Sequence, residues 1–237
     1  MSSPSPRGSS PRTPAEVAAI RREIDRCLTL RDGADRVVGN AKFGVYAFYD
    51  YDGEPIYVGQ TQELLRTRIR RHLTNQRTDA VAMNVLDPFE VLDVEMWPLF
   101  HLEEIADKLE VARFLNAAEY TVFQQVLVAS SFGAVLNEKD VAKTGLVQLP
   151  DSFRGRIVPP DVYDLRKHPD VRIARRASTI ASLARVISER EVSNGLRRTL
   201  VTQARRLERL ARERLSEIGG DYPIEGLEEE TGESGAD

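Results

Sequence analysis

The sequence of 237 residues contains little cysteine, no long apolar run and no large charge excess. Its one cysteine, Cys27, excludes both an internal disulfide and a cysteine-based zinc site. The apolar runs are far shorter than the ~20 residues that a membrane-spanning helix needs. The N-terminal region also lacks the apolar segment of a signal peptide, so we expect a cytoplasmic protein without a membrane partner. The 41% of apolar residues suffices for one or two domains.

Net charge is small because 33 Lys and Arg residues nearly balance 37 Asp and Glu residues, leaving −4. An evenly spread charge of this sign would argue against a nucleic-acid partner. The charge is uneven, however: residues 146–217 carry 16 bases and 9 acids, and residues 218–237 carry seven acids and no base. A second basic stretch occupies residues 66–72. Such clusters attract phosphate groups whatever the net charge, so nucleic acid stays a candidate partner.

The N-terminal part of the chain divides into two segments. Residues 1–12 are rich in Ser and Pro and are expected to be disordered. Thr13-Pro14 is typical of a helix N-cap followed by the first helical residue, and the helix is expected to continue to about Leu30. Residues 13–40 are therefore interpreted as an N-terminal helix and linker.

Residues 41–145 have the pattern of an α+β domain. Aromatic and β-branched residues flank Asp52-Gly53, which predicts two antiparallel strands joined by a two-residue turn. Residues 89–97 alternate apolar and acidic side chains, as a half-exposed third strand would. The predicted fold is a small three-stranded antiparallel sheet flanked by helices. Also expected are a helix over 63–73, a helix over 102–129 broken near 113–116, and an extended segment over 133–137.

Residues 146–218 are interpreted as a connector followed by a basic helical hairpin. Apolar residues recur at helical spacing over about 170–190 and 195–218, and arginine fills much of the remainder. Two interpretations of these arginines stay open. They contact a nucleic-acid backbone, or the hairpin packs on the domain or dimerises with Arg–Glu pairs on its surface. The acidic residues 219–237 are expected to form a disordered tail.

A two-residue turn determines which side chains of the β-hairpin share a face. It places Tyr46 opposite Gly59 and Phe48 opposite Tyr57, so that all four lie on one side of the sheet. The two phenols are then diagonal neighbours, and the glycine leaves open space beside Tyr46. A three-residue loop would break this arrangement, and core packing is the alternative explanation for such a tyrosine pair.

Tripeptides Gly44-Val45-Tyr46 and Tyr57-Val58-Gly59 resemble the two half-motifs of the GIY-YIG nuclease superfamily, with Val for Ile in both. The family pattern continues with an Arg on the first helix, a Glu on a later helix and an Asn near the end of the domain. The resemblance covers roughly residues 43–140. The residues that match in order are Arg68, Glu119 and Asn137.

Three positions near these matches bear on the assignment. His72 stands four residues after Arg68, on the same helix face, and the Arg-x-x-x-His pattern resembles the restriction-endonuclease branch. Gln60 follows the second half-motif where many members have Lys, so a cation is missing there. Glu110 is a rival to Glu119, which we prefer because the two small alanines before it suit close helix packing.

The resemblance implies hydrolysis of DNA phosphodiester bonds with one divalent metal ion, Mg²⁺ or Mn²⁺. Glu119 would bind the metal, and Arg68 would neutralise charge that develops on the phosphate. Asn137 would orient the glutamate or the attacking water. The positive charges of the metal and of the arginine together would lower the pKa of a tyrosine, so that its phenolate could act as the base. We favour the first tyrosine, Tyr46, as that base and Tyr57 as its neighbour, helped by the histidine, although the two tyrosines can exchange roles.

The complete set of site residues favours a metal-dependent DNA endonuclease, and the histidine variant favours a restriction-type enzyme. A repair or mobile-element nuclease is the alternative within the enzyme class. A nucleic-acid-binding protein without activity is the alternative outside it. One active site per chain favours a homodimer for cleavage of both strands. The arginines expected to contact DNA are Arg66, Arg70, Arg71, Arg77, Arg175, Arg176 and Arg205.

Overall fold

The computed structural model describes residues 15–74, 86–137 and 141–220. Four predictions fall outside these residues: the disorder expected for 1–12 and for the tail after residue 220, the helix cap at Thr13-Pro14, and the DNA contact of Arg77. None of the helices that the structure describes has the length and apolar character needed to cross a membrane.

The central sheet has four antiparallel strands in the order β2-β1-β3-β4. The α+β class is confirmed, but the prediction of three strands is wrong, because the fourth comes from the connector after residue 145. The division into domains stays a prediction, although the sheet extends across the predicted boundary. The strands are β1 (Gly44–Tyr49), β2 (Pro55–Thr61), β3 (Asp93–Pro98) and β4 (Phe153–Arg156).

Charged and polar side chains attach β4 to the sheet. Asp93 of β3 forms an ion pair with Arg154 at 3.0 Å, and Glu95 accepts a hydrogen bond from the Ser152 hydroxyl at 2.6 Å. The acidic residues of β3 were expected to face solvent, and they hold the next strand instead. With four residues and a single apolar side chain, β4 has too little alternation to be predicted from its own sequence.

The turn between β1 and β2 has three residues, 51–53, rather than the predicted two. The Asp50 amide donates to the Glu54 carbonyl at 3.0 Å, and the Gly53 amide donates to the Asp50 carbonyl at 3.1 Å. Gly53 has a φ of 76°, in the left-handed region that the last residue of such a loop adopts. Glycine at this position therefore ends the turn without backbone strain.

The register of β1 on β2 is nevertheless the one predicted. Tyr46 lies opposite Gly59, and Phe48 lies opposite Tyr57. A bulge shifts the register by one residue between Phe48 and Tyr49, and this shift compensates for the extra residue in the turn. Tyr46, Phe48 and Tyr57 consequently share one face with Gly59, as a two-residue turn would also have placed them.

The described residues contain six α-helices. The N-terminal helix ends two residues before the predicted Leu30, and the C-terminal pair forms the predicted hairpin, preceded by a short helix that was not predicted. The helices are α1 (Ala15–Leu28), α2 (Leu65–Thr74), α3 (Lys108–Ala129), α4 (Pro160–Arg166), α5 (Pro169–Glu189) and α6 (Asn194–Glu217).

The predicted break near residues 113–116 is wrong, because α3 continues through them. The interruption lies earlier, where a 3-10 helix over Phe100–Glu104 ends and α3 has not yet begun. Asp107 is the N-cap of α3, and its side chain accepts a hydrogen bond from the Leu109 amide at 2.8 Å. An N-cap of this kind satisfies an amide at the start of the helix and so determines where the helix begins.

Helices cover both faces of the sheet around β1, whose residues are all buried. On one face, Tyr46 and Phe48 join a core with α1, α2 and the helical hairpin of α5 and α6. On the other face, Val45 and Ala47 pack against Leu115 and other residues of α3. The resulting architecture has three layers, and the tyrosines face the layer that contains α2.

Buried arginines join the helical hairpin to the turn of β1 and β2. Arg176 donates to Asp50 at 2.7 Å, and Arg172 donates to Asp52 at 2.8 Å. All of these arginines are at most 5% exposed. We call this set the arginine cluster: Arg172, Arg176 and Arg206 with Asp50, Asp52 and Glu54.

The arginine cluster bears on the two interpretations of the basic helical hairpin. Packing on the domain is confirmed, because the cluster and the apolar core both join the hairpin to the sheet. Arg176, which we expected to contact DNA, is instead buried against Asp50. Arg175 is half-buried and lies over the Phe89 ring at 5.0 Å, whereas Arg205 is exposed. Only part of the hairpin's positive charge is therefore available at the surface.

Replacing Arg176 by Met should destabilise the protein by about 3–5 kcal/mol, because it leaves Asp50 buried without its main partner. Arg185→Met removes an exposed arginine of the same helix and should change the stability by less than about 1 kcal/mol. Urea unfolding of both variants checks this expectation. Equal stabilities for the two variants would show that the cluster does not hold the hairpin.

Candidate active site

The two tyrosines of the β-hairpin lie side by side, with ring centroids 6.2 Å apart. Gly59 permits this, since a Cβ there would lie 2.7 Å from the Tyr57 ring and 2.8 Å from the Tyr46 hydroxyl. Tyr46 is fully buried and Tyr57 is partly exposed. Burial, reinforced by the neighbouring Tyr57, raises the pKa of Tyr46, and Arg68 opposes the rise. Tyr46 therefore holds its proton firmly, and Tyr57 is the phenol closer to solvent.

Helix α2 places Arg68 and His72 on this face, as their spacing predicts. The Arg68 Nε donates to the Tyr46 hydroxyl at 3.2 Å. His72 is buried, and its ring lies 5.8 Å from that of Tyr46 and 5.3 Å from that of Tyr57, between centroids. Neither of its ring nitrogens has a hydrogen-bond partner among the described residues. Burial, with the cations of Arg68 and Arg71, lowers the pKa of His72 from 6.5 to about 3.

Helix α3 supplies the carboxylate from the opposite face of the sheet. Glu119 accepts a hydrogen bond from the Gln60 side-chain amide at 3.0 Å, and the same amide donates to Asn116 at 2.6 Å. Burial raises the pKa of Glu119, while Gln60 and Arg68 oppose this rise. Glu110 lies at the exposed start of α3. The structure thus brings Glu119, and not its rival, to the edge of β2.

The hydrogen bonds of Gln60 were missed at the sequence level. Gln60 was noted there only as a missing cation, yet its amide joins β2 to two side chains of α3. Asn116 precedes Glu119 by three residues and therefore lies on the same helix face. This spacing is the sequence signal that could have identified Asn116 as a neighbour of Glu119. The neutral Gln60 amide holds the Glu119 carboxylate in position without neutralising its negative charge.

A single carboxylate of this kind is suited to one particular class of metal ion. Across the described parts of the chain, no three His, Cys, Asp or Glu side chains gather where they could hold a metal. Mg²⁺ keeps several waters and is commonly bound through one or two carboxylates together with substrate phosphates. Glu119 fits that requirement, and it does not fit zinc, which needs three or four protein ligands.

Asn137 binds the backbone of β2, a contact that its predicted role of orienting the glutamate or the attacking water did not include. Its amide oxygen accepts from the Val58 amide at 3.0 Å, and its amide nitrogen donates to the Val58 carbonyl at 2.9 Å. The neighbouring Leu136 amide donates to the Ile56 carbonyl at 3.0 Å. Residues 133–137, which were predicted to be extended, form no strand. These hydrogen bonds nevertheless attach the end of the segment to the outer edge of β2, as a neighbouring strand would be attached. Asn137 thereby fixes the backbone between Tyr57 and Gly59.

Arginines of the basic stretch 66–72 mostly have partners. Arg70 forms an ion pair with Asp25 of α1 at 2.8 Å, and Arg71 pairs with Glu63. Arg66 donates to the Gly39 carbonyl at 3.4 Å. These side chains are only partly buried, so their positive charge still faces solvent. Their contact with DNA stays a prediction.

Comparison with known proteins identifies one family. The model of the GIY-YIG catalytic domain matches residues 42–126. This segment contains both tyrosines and the three other site side chains of α2 and α3, and it ends before Asn137. No curated protein and no solved structure matches the chain.

His72 should stay neutral at pH 5, because a charged imidazole would be buried without a partner. The unfolded chain takes up this proton near pH 6.5, so the folded state should lose stability as the pH falls from about 6.5 towards 3. Imidazole ¹⁵N NMR shifts between pH 4 and 8 measure the titration, and His72→Phe identifies the resonance. A midpoint above pH 6 would contradict this buried environment.

Proposed function

We propose that this protein, whose residues 42–126 belong to the GIY-YIG nuclease superfamily, is a metal-dependent endonuclease that hydrolyses phosphodiester bonds in DNA. One observation carries the proposal. A phenol from β2, a guanidinium from α2 and a carboxylate from α3 come together, and the guanidinium interacts electrostatically with both of the others. They are Tyr57, Arg68 and Glu119.

Each of these groups suits a requirement of phosphodiester hydrolysis. GIY-YIG nucleases generally use divalent metal ions, and we propose Mg²⁺, which Mn²⁺ can replace, held by Glu119. When bound, the metal supplies a Lewis acid for the scissile phosphate and stabilises the leaving oxygen. Arg68 neutralises charge that develops on the phosphate, for which its planar fork of N–H donors is suited.

Exposure of the two phenols supports a division of their roles that reverses the sequence-based preference. Tyr57 is the better candidate to orient and deprotonate the attacking water, because it is partly exposed. Tyr46 is fully buried and accepts a hydrogen bond from Arg68, so it positions the guanidinium. His72 is neutral and packs against both rings, so its role is to position them rather than to act as a cation. Asn137 positions β2.

A restriction-type enzyme is the more specific form of this proposal. It depends on the Arg-x-x-x-His spacing of Arg68 and His72 on one face of α2. Cleavage of plasmid DNA into discrete, reproducible fragments would support it, whereas selective cleavage of flaps or branched DNA would support a repair-type nuclease. With one active site per chain, cleavage of both strands is expected to involve a homodimer.

Glu119→Ala should reduce metal-dependent cleavage by at least about 100-fold, since the metal's charge contributes several kcal/mol to the transition state. DNA binding in EDTA should be unchanged. The matched control is Glu110→Ala, which removes an exposed carboxylate from the same helix and should cleave normally. Plasmid nicking with Mg²⁺, Mn²⁺ or EDTA measures the outcome. Normal cleavage by the Glu119 variant would exclude it as the metal ligand.

Tyr57→Phe should lower the cleavage rate by about 100-fold or more, because it removes the group assigned to the water. Tyr46→Phe removes one hydrogen bond to Arg68 and should cost about tenfold. Single-turnover rates of both variants at saturating protein separate these effects from binding. A larger loss for Tyr46→Phe would return the role of base to that residue.

A further inference from the structure

A large open groove lies beyond the outer edge of β2. It has a volume of about 1060 Å³ and is lined by α3, by residues 132–135, 137 and 141–143, and by the N-terminal half of α6. Pockets for small molecules usually measure about 300–1,000 Å³ and enclose their ligand, so this groove is better suited to a chain than to a metabolite. Helix α6 lies outside the segment that matches the family model.

All charged side chains among the described lining residues are basic. They are Lys143, Arg197, Arg198 and Arg205. Lys143, Arg197 and Arg205 are exposed, and the described residues offer none of the three an ion-pair partner. This distinguishes them from Arg172, Arg176 and Arg206, whose charge the arginine cluster compensates. Lys143, Arg197 and Arg205 therefore give the described lining of the groove positive charge that no ion pair of the described residues compensates.

Aromatic rings lie along the same groove. Tyr120 and Phe123 of α3 line one side, and Phe132 lies below α6. The guanidinium of Arg205 is 5.9 Å from the Phe132 ring centroid, and that of Arg209 is 5.5 Å from it. Positive grooves with aromatic side chains are typical of surfaces that follow a nucleic-acid strand.

The groove adjoins the candidate active site at two points. Asn137 lines it and also holds Val58, which stands between Tyr57 and Gly59. Tyr120 lines it and follows Glu119 directly in the chain. A strand whose scissile phosphate lay at Glu119 could thus continue into the groove.

We infer that this groove binds the phosphate backbone of the DNA substrate next to the cleaved bond, with Arg197, Arg205 and Lys143 as its phosphate contacts. The inference rests on the proposed function and assigns substrate binding to α6. The arginines of the helical hairpin then have two separate uses. Those of the arginine cluster hold the hairpin on the sheet, and those of the groove contact DNA.

The test compares two double variants of the full chain that lose the same charge. Arg197→Gln/Arg205→Gln removes two groove cations, and Arg185→Gln/Arg190→Gln removes two exposed arginines at the C-terminal end of α5, outside the groove. Fluorescence anisotropy with a labelled oligonucleotide, single-stranded or duplex, is measured in EDTA so that no cleavage occurs. Circular dichroism confirms that both variants are folded.

The groove variant should bind DNA about tenfold or more weakly. A plot of the logarithm of its binding constant against the logarithm of the salt concentration should have a slope that is less steep by about 1.4 for single strands or about 1.8 for duplex DNA, because two phosphate contacts are lost. The control variant should differ from the unmodified protein by less than about twofold. Equal weakening by both variants, or no weakening by either, would overturn the inference.

Failure of this inference is distinguishable from failure of the proposed function. If Glu119→Ala abolishes cleavage but the groove variant binds DNA normally, only the groove assignment is wrong. If the groove variant binds weakly but Glu119→Ala cleaves normally, the groove assignment holds and the proposed active site is wrong. Since the binding assay contains no metal, it is independent of catalysis.

Discussion

The ion pairs of the arginine cluster are the constraint on which the rest of the structure depends. Asp50 and Glu54 flank the turn that sets the register of the tyrosine-bearing strands, and both are buried. Buried carboxylates are stable only when they are paired and hydrogen-bonded, and Arg176 and Arg206 supply this from the helical hairpin. The helical hairpin therefore supports the sheet that carries the two tyrosines. Its exposed arginines, such as Arg197 and Arg205, take no part in these ion pairs.

Much of the site could be predicted because its residues lie close together in the sequence, on one β-hairpin and one helix. Strand alternation placed Tyr46 and Tyr57 on one face, and four-residue spacing placed Arg68 and His72 on one side of α2. The error in the turn did not alter the result, since a three-residue loop and a bulge together restore the register of a two-residue turn. The Asp52-Gly53 signal identified the hairpin but not its loop length.

Features that depend on distant parts of the chain could not be predicted. In Arg175-Arg176 and Arg205-Arg206, one residue of each pair is buried in the arginine cluster and the other is not. Sequence shows the helical period but not which neighbour each face will meet, so Arg176 was assigned to DNA. The same limit applies to Asn137, whose partner lies 79 residues away on β2. It also applies to β4, which owes its place to the acids of β3.

Strand β4 joins the sheet from beyond the segment that matches the family model. A fragment that ended at residue 145 would leave the outer edge of β3 with unpaired backbone groups, and exposed strand edges pair readily with other chains. The same fragment would lack the arginines that compensate Asp50 and Glu54. The smallest unit of this protein that keeps its strand edges and buried carboxylates paired is therefore larger than the segment that matches the family model. Moving that segment into another protein would require its C-terminal supports to be moved with it.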